Sequence, residues 1–152
     1  MSQKSNTLTN QGSPNQITDE YRVLHKVAQV LESSGSLMDV LQKAMQIITE
    51  FEGLHVENKA GIFLADNEKK VLRLLTTFGA FSQEFLEKEK EVPFGDCLCG
   101  RVAVSGKLLM SESCFTDSRH ERTFTDMKAH GHYTIPFGPV PTGVLFVTHN
   151  TH

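Results

Sequence analysis

Thiol and imidazole side chains, which ligate soft metals, carry redox chemistry and act as nucleophiles, are concentrated in one stretch of this sequence. All three cysteines and three of the seven histidines lie between Pro93 and Pro136. The six residues are Cys97, Cys99, Cys114, His120, His130 and His132. Their mixture suits zinc, iron, an iron–sulfur cluster or a haem with an axial His or Cys. The stretch is therefore predicted to be the functional site, with these six residues as candidate metal ligands.

The spacing of the six residues does not choose among these cofactors. Cys97-x-Cys99 is a weaker signal than paired Cys-x-x-Cys knuckles, and the sequence has no Cys-x-x-Cys-His motif for haem attachment. Four of the six ligands would complete a closed, structural zinc site. An iron or haem site with an open position would instead sense oxygen, nitric oxide or redox state. The sequence does not decide between a structural zinc site and a sensory iron or haem site.

Two of the cysteines are predicted to begin a short helix. Asp96 is placed as its N-cap, and the helix runs from Cys97 to Ser105 before Gly106 ends it. Free backbone N–H groups at a helix start favour a thiolate, so we expect a lowered pKa for Cys97 and Cys99. Two residues apart on a regular helix, side chains diverge by roughly 200°. Both thiols therefore face one ligand only if the chain at Cys97 is still in the preceding loop.

The sequence His130-Gly131-His132 leads into a predicted strand. Residues two apart on a strand share one face, and Gly131 would also give its neighbours backbone freedom. The two histidines are therefore predicted to point inward together and to form a ligand edge.

Two arginines and an aspartate add charge to the candidate site. Arg101 lies in the short helix, and Asp117 and Arg119 lie just before the first of the three histidines. In a functional role these arginines hold an anionic ligand through their planar fork of donors. In a structural role Asp117 caps a turn, and Arg119 pairs with Glu121 or Asp126. The predicted ligand-binding set joins Arg101, Asp117 and Arg119 to the six cysteines and histidines.

The rest of the chain is predicted to form the scaffold that positions these residues. Helices are expected at about 18–33, with Thr18 or Asp19 as the cap, at 36–51, with Ser36 as the cap, and at 81–90. A β-hairpin is expected at 60–65 and 71–78, an extended piece at 91–94, and strands at 108–110, 133–137 and 143–148. The polar segment from Ser111 to Gly131 is long for a connection, which favours a functional role. The predicted fold class is α+β, an antiparallel sheet of about five to six strands with helices on its faces.

Composition and charge exclude several classes of protein. The 152 residues fit one domain, predicted over 17–152, after a polar and disordered tail over 1–16. Acidic residues outnumber basic ones 18 to 15 and no basic stripe is present, which argues against nucleic-acid binding. No apolar run is long enough to span a membrane, and the N-terminus is polar. We therefore expect a cytoplasmic protein with reduced thiols and no membrane partner.

The order of elements and several motifs resemble a GAF domain, the small-molecule sensor module of signalling proteins. The likeness covers roughly residues 20–149 and is carried by the two N-terminal helices, VPFGDCLCGRVAVSGKLLMS and HYTIPFGPVPTGVLFV. The combination of CLCGRVA, DSRH and HGHY is similar to a cysteine- and histidine-bearing subgroup in bacterial sensor kinases and related regulators. The resemblance implies a non-catalytic sensor of two-component type. Such a domain binds a small molecule, metal or redox cofactor and relays the change to an output domain.

The two ends of the chain bear on this resemblance. A GAF domain usually closes with a helix after its last strand, so a closing C-terminal helix is expected to be missing here. Either the chain is a piece of a longer protein or a neighbouring chain covers the exposed face. In the family, terminal helices commonly build a parallel homodimer, and the helix over 18–33 could do so or could pack on the sheet. Its apolar stripe consists of Tyr21, Leu24, Val27, Ala28 and Leu31.

The chain also resembles the free methionine-R-sulfoxide reductases, which are GAF folds that use three cysteines. FGDCLCG matches their Gly-x-x-Cys-Gly helix start at Cys99. Where that family carries its nucleophilic cysteine, this chain has Asp126-Met127-Lys128-Ala129 before His130. Sulfoxide reduction needs a thiolate to attack sulfur and a second thiol to resolve the sulfenic acid. The sequence therefore favours a sensor over an enzyme and leaves the thiol enzyme as the alternative.

Overall fold

The computed structural model describes residues 14–32, 35–51, 56–125 and 127–150, with the backbone alone at 14–20. Within those residues it has four helices and six strands in the predicted order. They are α1 (Pro14–Glu32), α2 (Leu37–Glu50), β1 (Val56–Asp66), β2 (Val71–Phe78), α3 (Gln83–Lys88), β3 (Glu91–Pro93), α4 (Cys97–Ser105), β4 (Leu109–Ser111), β5 (Gly131–Phe137) and β6 (Gly143–His149). The predicted α+β class is confirmed.

All six strands join in one antiparallel sheet in the order β3-β2-β1-β6-β5-β4. The hairpin of β1 and β2 places Asp66 opposite Val71, and the second hairpin places Phe137 of β5 opposite Gly143 of β6. β1 and β6 pair in the middle of the sheet. Because side chains alternate between the two sides of a strand, the sheet has two faces with different contents.

One side, called the helix face here, is covered by α2. Ser36 is the predicted N-cap of α2, and its hydroxyl oxygen accepts a hydrogen bond from the backbone N–H of Asp39 at 3.1 Å. The apolar side of α2 presents Met45, which is 1% exposed, to the sheet. The helix-face core comprises Met45, Ala60, Ile62 and Val147, with Leu41, Ile48, Val56, Leu75, Phe78 and Leu145 packed around them.

The first helix begins earlier than the sequence predicts. Pro14 is its first residue, a position where the fixed φ of proline suits a helix and its missing N–H costs nothing. Residues 14–16 are therefore helical rather than part of a disordered tail, and the rest of the predicted tail lies outside the described residues. α1 packs against α2. Its apolar stripe is not buried on the sheet, since Tyr21, Leu24 and Leu31 are 69%, 64% and 67% exposed.

The opposite side of the sheet, called the site face here, packs against α3, α4 and the segment 112–130. Val102 and Ala103 of α4 are 0% and 4% exposed and lie in the core. The site-face core consists of Phe63, Leu72, Val92, Val102, Ala103, Val144 and Phe146. Gly61 of β1 belongs here because a Cβ at that position would collide with the ring of Phe146.

In the part of the chain that is described, no helix has the length and apolarity needed to cross a membrane.

Candidate functional site

Three histidine side chains meet on the site face. The Nε2 atom of His132 lies 3.1 Å from Nε2 of His120 and 2.8 Å from Nε2 of His130. All three ligand atoms lie within 4.8 Å of one another. Among the described residues, no other group of three or more His, Cys, Asp or Glu side chains converges this closely. The structure thus brings together all three histidines that the sequence singles out.

Two elements deliver these histidines. His132 lies in β5 on the same side as Phe146 of β6, with ring centroids 6.1 Å apart. His120 lies in the segment 112–130, where its backbone N–H donates to the carbonyl of Asp117 at 3.0 Å. Gly131 has no unusual φ; it allows close packing instead, because a Cβ there would collide with the ring of His149. His130 lies directly before β5, two residues from His132, and the entry of the chain into the strand brings the two side chains together.

Burial keeps two of the imidazoles neutral. Burial lowers the pKa of His120, and the charge of His130 acts in the same direction. The pKa of His132 lies well below its ordinary value, first because of burial and then because of the charges of neighbouring histidines. Neutral imidazole is the form that binds metal ions through a ring-nitrogen lone pair. Burial therefore favours the form of His120 and His132 that offers a lone pair rather than a positive charge.

Cys114 lies beside this cluster rather than within it. It is 4% exposed, and its backbone N–H donates to the carbonyl of His130 at 2.7 Å. Its Sγ lies 3.5 Å from Nδ1 of His130 and 3.6 Å from the carbonyl oxygen of Lys128. The thiol thus contacts the far side of one imidazole, away from the meeting point of the Nε2 atoms.

Cys97 and Cys99 line a small cavity of about 40 Å³, together with His120 and His132. Cys97 has a φ of 55°, so its backbone does not have regular helical geometry. Such a departure is required if the side chains of Cys97 and Cys99 are to face the same space. The expected low thiol pKa is wrong. Burial raises the pKa of Cys97 and raises the pKa of Cys99 well above its usual range. At this helix start, loss of solvation outweighs the helix dipole.

A larger cavity also borders the histidines. Its volume is about 290 Å³. It is lined by Glu57, Lys59, Ala80, Phe81, Ser82, Phe85, His120, Phe124, Met127, Lys128, Ala129, His130, His132, Phe146 and Thr148. The two cavities adjoin, and Cys97 and Cys99 line only the smaller one; the residues that line both are Phe85, His120, Phe124, His132 and Phe146. A cavity that combines aromatic side chains with converging polar groups is typical of a small-molecule site.

Each charged residue predicted to bind a ligand has an oppositely charged partner within the chain. Arg119 donates from Nε and Nη2 to the two carboxylate oxygens of Asp117 at 2.9 and 2.7 Å. Arg119 thus pairs with Asp117 rather than with Glu121, and Asp126, the other expected partner, lies outside the described residues. Asp117 also accepts the backbone N–H of Arg119 at 2.9 Å, which confirms its turn and sets the carboxylate beside the guanidinium.

Arg101 pairs with Glu121, so both predicted anion-binding arginines have carboxylate partners. Arg101, Asp117 and Arg119 do not line either of the two cavities described above. Their role in ligand binding stays a prediction.

Sequence reasoning missed Arg122, which connects three parts of the site. Its guanidinium donates to the carboxylates of Glu89 at 2.6 Å and Asp96 at 2.8 Å, and also to the carbonyl of Lys88. Burial raises the pKa of Glu89, against the opposing charge of Arg122. Asp96 precedes α4 as predicted, but its side chain makes no cap bond and binds Arg122 instead. Glu89 lies 33 residues from Arg122, so no local pattern marks this pairing.

Comparison with known proteins finds likeness at the level of three-dimensional structure. No protein-family model matches the chain, and no curated protein matches it. The GAF domain of A. aeolicus nlh2 in an inactive state superposes with a TM-score of 0.68 at 17% identity, over 90% of this chain and 82% of that one. The GAF domain of an Acinetobacter phosphoenolpyruvate-protein phosphotransferase gives 0.65 at 18% identity, over 92% and 80%.

This chain has the GAF fold. A free methionine-R-sulfoxide reductase from Neisseria meningitidis, in complex with its substrate, has a TM-score of 0.66 at 15% identity, over 93% of this chain and 78% of that one. At such identities the likeness concerns the fold. In this GAF domain, the histidine cluster, the two cavities and the segment 112–130 all lie on the site face.

Proposed function

We propose that this GAF domain is a non-catalytic sensor, which binds a small molecule, metal ion or redox cofactor in the larger cavity and relays the change to an output domain of a larger signalling protein. The observation that carries the proposal is the meeting of three imidazole nitrogens at the wall of a cavity of about 290 Å³. Neutral imidazoles bind metals and also accept or donate hydrogen bonds to organic ligands.

The segment 112–130 supplies a route for the relay. His120 and residues 127–130 from its second half line the cavity. Arg122 in the same segment reaches Glu89 behind α3 and Asp96 before α4. A ligand that moves the segment would therefore change contacts at the ends of two helices.

The test uses the purified chain as it is obtained from cells. Bound metals are measured by elemental analysis and visible spectra with and without oxygen, and bound organic molecules are released by denaturation and identified by mass spectrometry. Hydrogen exchange is then compared between loaded and stripped protein. We expect a bound species and slower exchange over 112–130 in the loaded form. A protein that carries nothing, with the same exchange after addition of candidate ligands, contradicts the proposal.

The alternative is a thiol enzyme like the free methionine-R-sulfoxide reductases, favoured by the fold likeness to the Neisseria protein. Catalysis requires an attacking thiolate. Burial raises the pKa of both Cys97 and Cys99, and Cys114 is buried against His130. We expect no turnover of free methionine-R-sulfoxide with a thiol reductant. Turnover that is abolished in Cys99→Ser would establish the enzyme instead.

The partners of the sensor follow from the same proposal. The domain works in the cytoplasm as part of a bacterial two-component or related regulator, and a homodimer forms through α1. The exposed stripe of Tyr21, Leu24 and Leu31 supports this contact. Sedimentation of the full chain at several concentrations tests it: we expect a dimer that Leu24→Lys converts to a monomer. A monomer at every concentration contradicts dimer formation.

A further inference from the structure

The geometry of the three histidines suits one metal ion. Three nitrogens bound tetrahedrally to zinc at about 2.0–2.1 Å lie about 3.3 Å from one another. In this chain Nε2 of His132 lies 3.1 Å from Nε2 of His120 and 2.8 Å from Nε2 of His130. An ion between them needs shifts of only a few tenths of an ångström at these two separations.

The hydrogen bonds of His130 fix which of its nitrogens is available. Nδ1 of His130 lies 2.6 Å from the carbonyl oxygen of Lys128, which can only accept, so Nδ1 carries a proton. In the neutral ring the Nε2 atom then holds a lone pair. A metal-bound histidine commonly donates its other ring N–H to a backbone carbonyl in this way, and that bond orients the ring.

The three nitrogens cannot satisfy one another with hydrogen bonds alone. Nε2 of His132 faces two other ring nitrogens but offers either one proton or one lone pair. It can therefore make a full hydrogen bond with only one of them. A cation at the meeting point removes the conflict, since each ring then directs a lone pair at it.

The thiols lie outside this coordination sphere. Cys114 contacts the Nδ1 side of His130, and Cys97 and Cys99 line the small cavity beyond His120 and His132. Three protein ligands leave a tetrahedral ion with one free position. The larger cavity, which all three histidines line, is the open space next to the cluster.

We propose that His120, His130 and His132 bind one divalent transition-metal ion through their Nε2 atoms, with a remaining coordination position open to the larger cavity. Imidazole ligands suit zinc, iron, copper and nickel. This inference rests on the proposed sensory function and names the group that the cavity presents to its ligand. A small molecule or anion with one donor atom occupies the open position, and its apolar part packs against Phe81, Phe85 and Phe124.

Cobalt(II) titration of the chelator-stripped full chain tests the site, because Co²⁺ replaces zinc or iron and has a visible spectrum. We expect one Co²⁺ per chain and a spectrum that changes when azide, a small anionic ligand, is added. His120→Ala, His130→Ala and His132→Ala should each weaken Co²⁺ binding by more than about 100-fold, beyond the 10–100-fold effect of losing an outer-shell partner. His25→Ala, on the exposed side of α1, is the matched control and should bind as the wild type does.

Folding of the variants is checked by thermal melting, and His132→Asn, which keeps a polar side chain of smaller size, serves if His132→Ala is unfolded. Cys97→Ser and Cys99→Ser should keep both affinity and spectrum. Co²⁺ binding that survives loss of any one of the three histidines overturns the proposal. Loss of a sulfur-to-cobalt absorption band in a cysteine variant overturns it too, because the site would then be a mixed one.

The outcomes separate this inference from the proposed function. In one outcome the stripped protein does not bind Co²⁺, but an organic molecule released from the purified chain binds the protein again and slows hydrogen exchange over 112–130. This outcome overturns the metal site and supports the proposed sensor. In another outcome Co²⁺ binds, the three histidine variants lose affinity as expected, and hydrogen exchange over 112–130 is unchanged by Co²⁺ and azide. This outcome supports the metal site and overturns the proposed relay.

Discussion

On the helix face of the sheet, α2 covers a continuous apolar surface in which Met45 meets Ala60, Ile62 and Val147. On the site face, aromatic and aliphatic side chains share the space with three histidines, two buried thiols and two cavities. The first arrangement stabilises the fold. The arrangement on the site face leaves cavities beside converging polar groups, where a ligand can bind. Natural proteins depart from close apolar packing mainly at functional sites. Changes on the two faces should therefore separate stability from binding.

The largest effect on stability is expected from Met45→Ala on the helix face. Met45 is 1% exposed, so truncation removes buried surface and leaves a void, and the free energy of unfolding should fall by about 3 kcal/mol. Urea denaturation measures the change. Co²⁺ affinity of the folded variant should equal that of the wild type. A parallel loss of affinity would show that the two faces are coupled through the sheet.

Arg122→Met should have the next largest effect, because it leaves the buried carboxylate of Glu89 without its partner. We expect a loss of about 2 kcal/mol at pH 7, less than for a fully buried pair because Arg122 is partly exposed. A carboxyl group whose pKa is raised in the folded state contributes stability below its unfolded pKa, and that stability is lost as pH rises through the folded pKa. The deficit of Arg122→Met should therefore be smaller at pH 4 than at pH 7.

The matched control for this prediction is Glu89→Gln added to Arg122→Met. Removing the stranded charge should restore most of the stability at pH 7, while Glu89→Gln alone should change it little. A deficit in Arg122→Met that does not vary with pH would mean that lost packing, and not the buried charge, is responsible.

The N-terminal ends of α2 and α4 are stabilised by different side-chain contacts, and substitutions at Ser36 and Asp96 test this difference. Ser36 caps α2 with a 3.1 Å bond to the N–H of Asp39, and Ser36→Ala should cost about 1 kcal/mol. Asp96 makes no such bond at α4. Replacing Asp96 by Ser, itself a good N-cap, should still destabilise the protein because the bond to Arg122 is lost. If Asp96→Ser is as stable as the wild type, capping outweighs the ion pair at α4.

The smallest effect is expected at the β1–β2 turn, away from both faces. A hydrogen bond from Arg73 lowers the pKa of Asp66, so the contribution of this carboxylate is present above its unfolded pKa and is lost as pH falls. Asp66→Asn should therefore flatten the decrease in stability with falling pH in low salt. Because both side chains are partly exposed to solvent, the difference should become smaller in high salt. A difference of equal size in high salt would contradict this account.

The sequence predicted the regular parts of this fold well because their signals are local. The Ser36 cap, the apolar side of α2, the hairpin around Asp66 and the end of α4 at Gly106 each depend on residues close in the chain. α1 begins before the predicted start near Thr18, because Pro14 serves as its first helical residue. The aperiodic segment 112–130 offered no such signal.

The candidate site was predictable in its residue types but not in its arrangement. His130 and His132 are close in the chain at the start of β5, whereas His120 reaches them only through the path of the segment 112–130. The thiol pKa was misjudged because burial of Cys99 depends on long-range packing that a helix-start rule cannot include. Arg122 was missed because its partners come from distant parts of the chain.

The two outer strands of the sheet have a consequence for the behaviour of the protein at high concentration. β3 and β4 each pair over three residues, and Pro93 in β3 has no N–H to offer an incoming strand. Short edge strands offer another chain few free backbone groups with which to extend the sheet. Natural proteins use short edge strands in this way to avoid edge-to-edge aggregation. The domain is thus built to meet other molecules through side chains rather than through its exposed backbone.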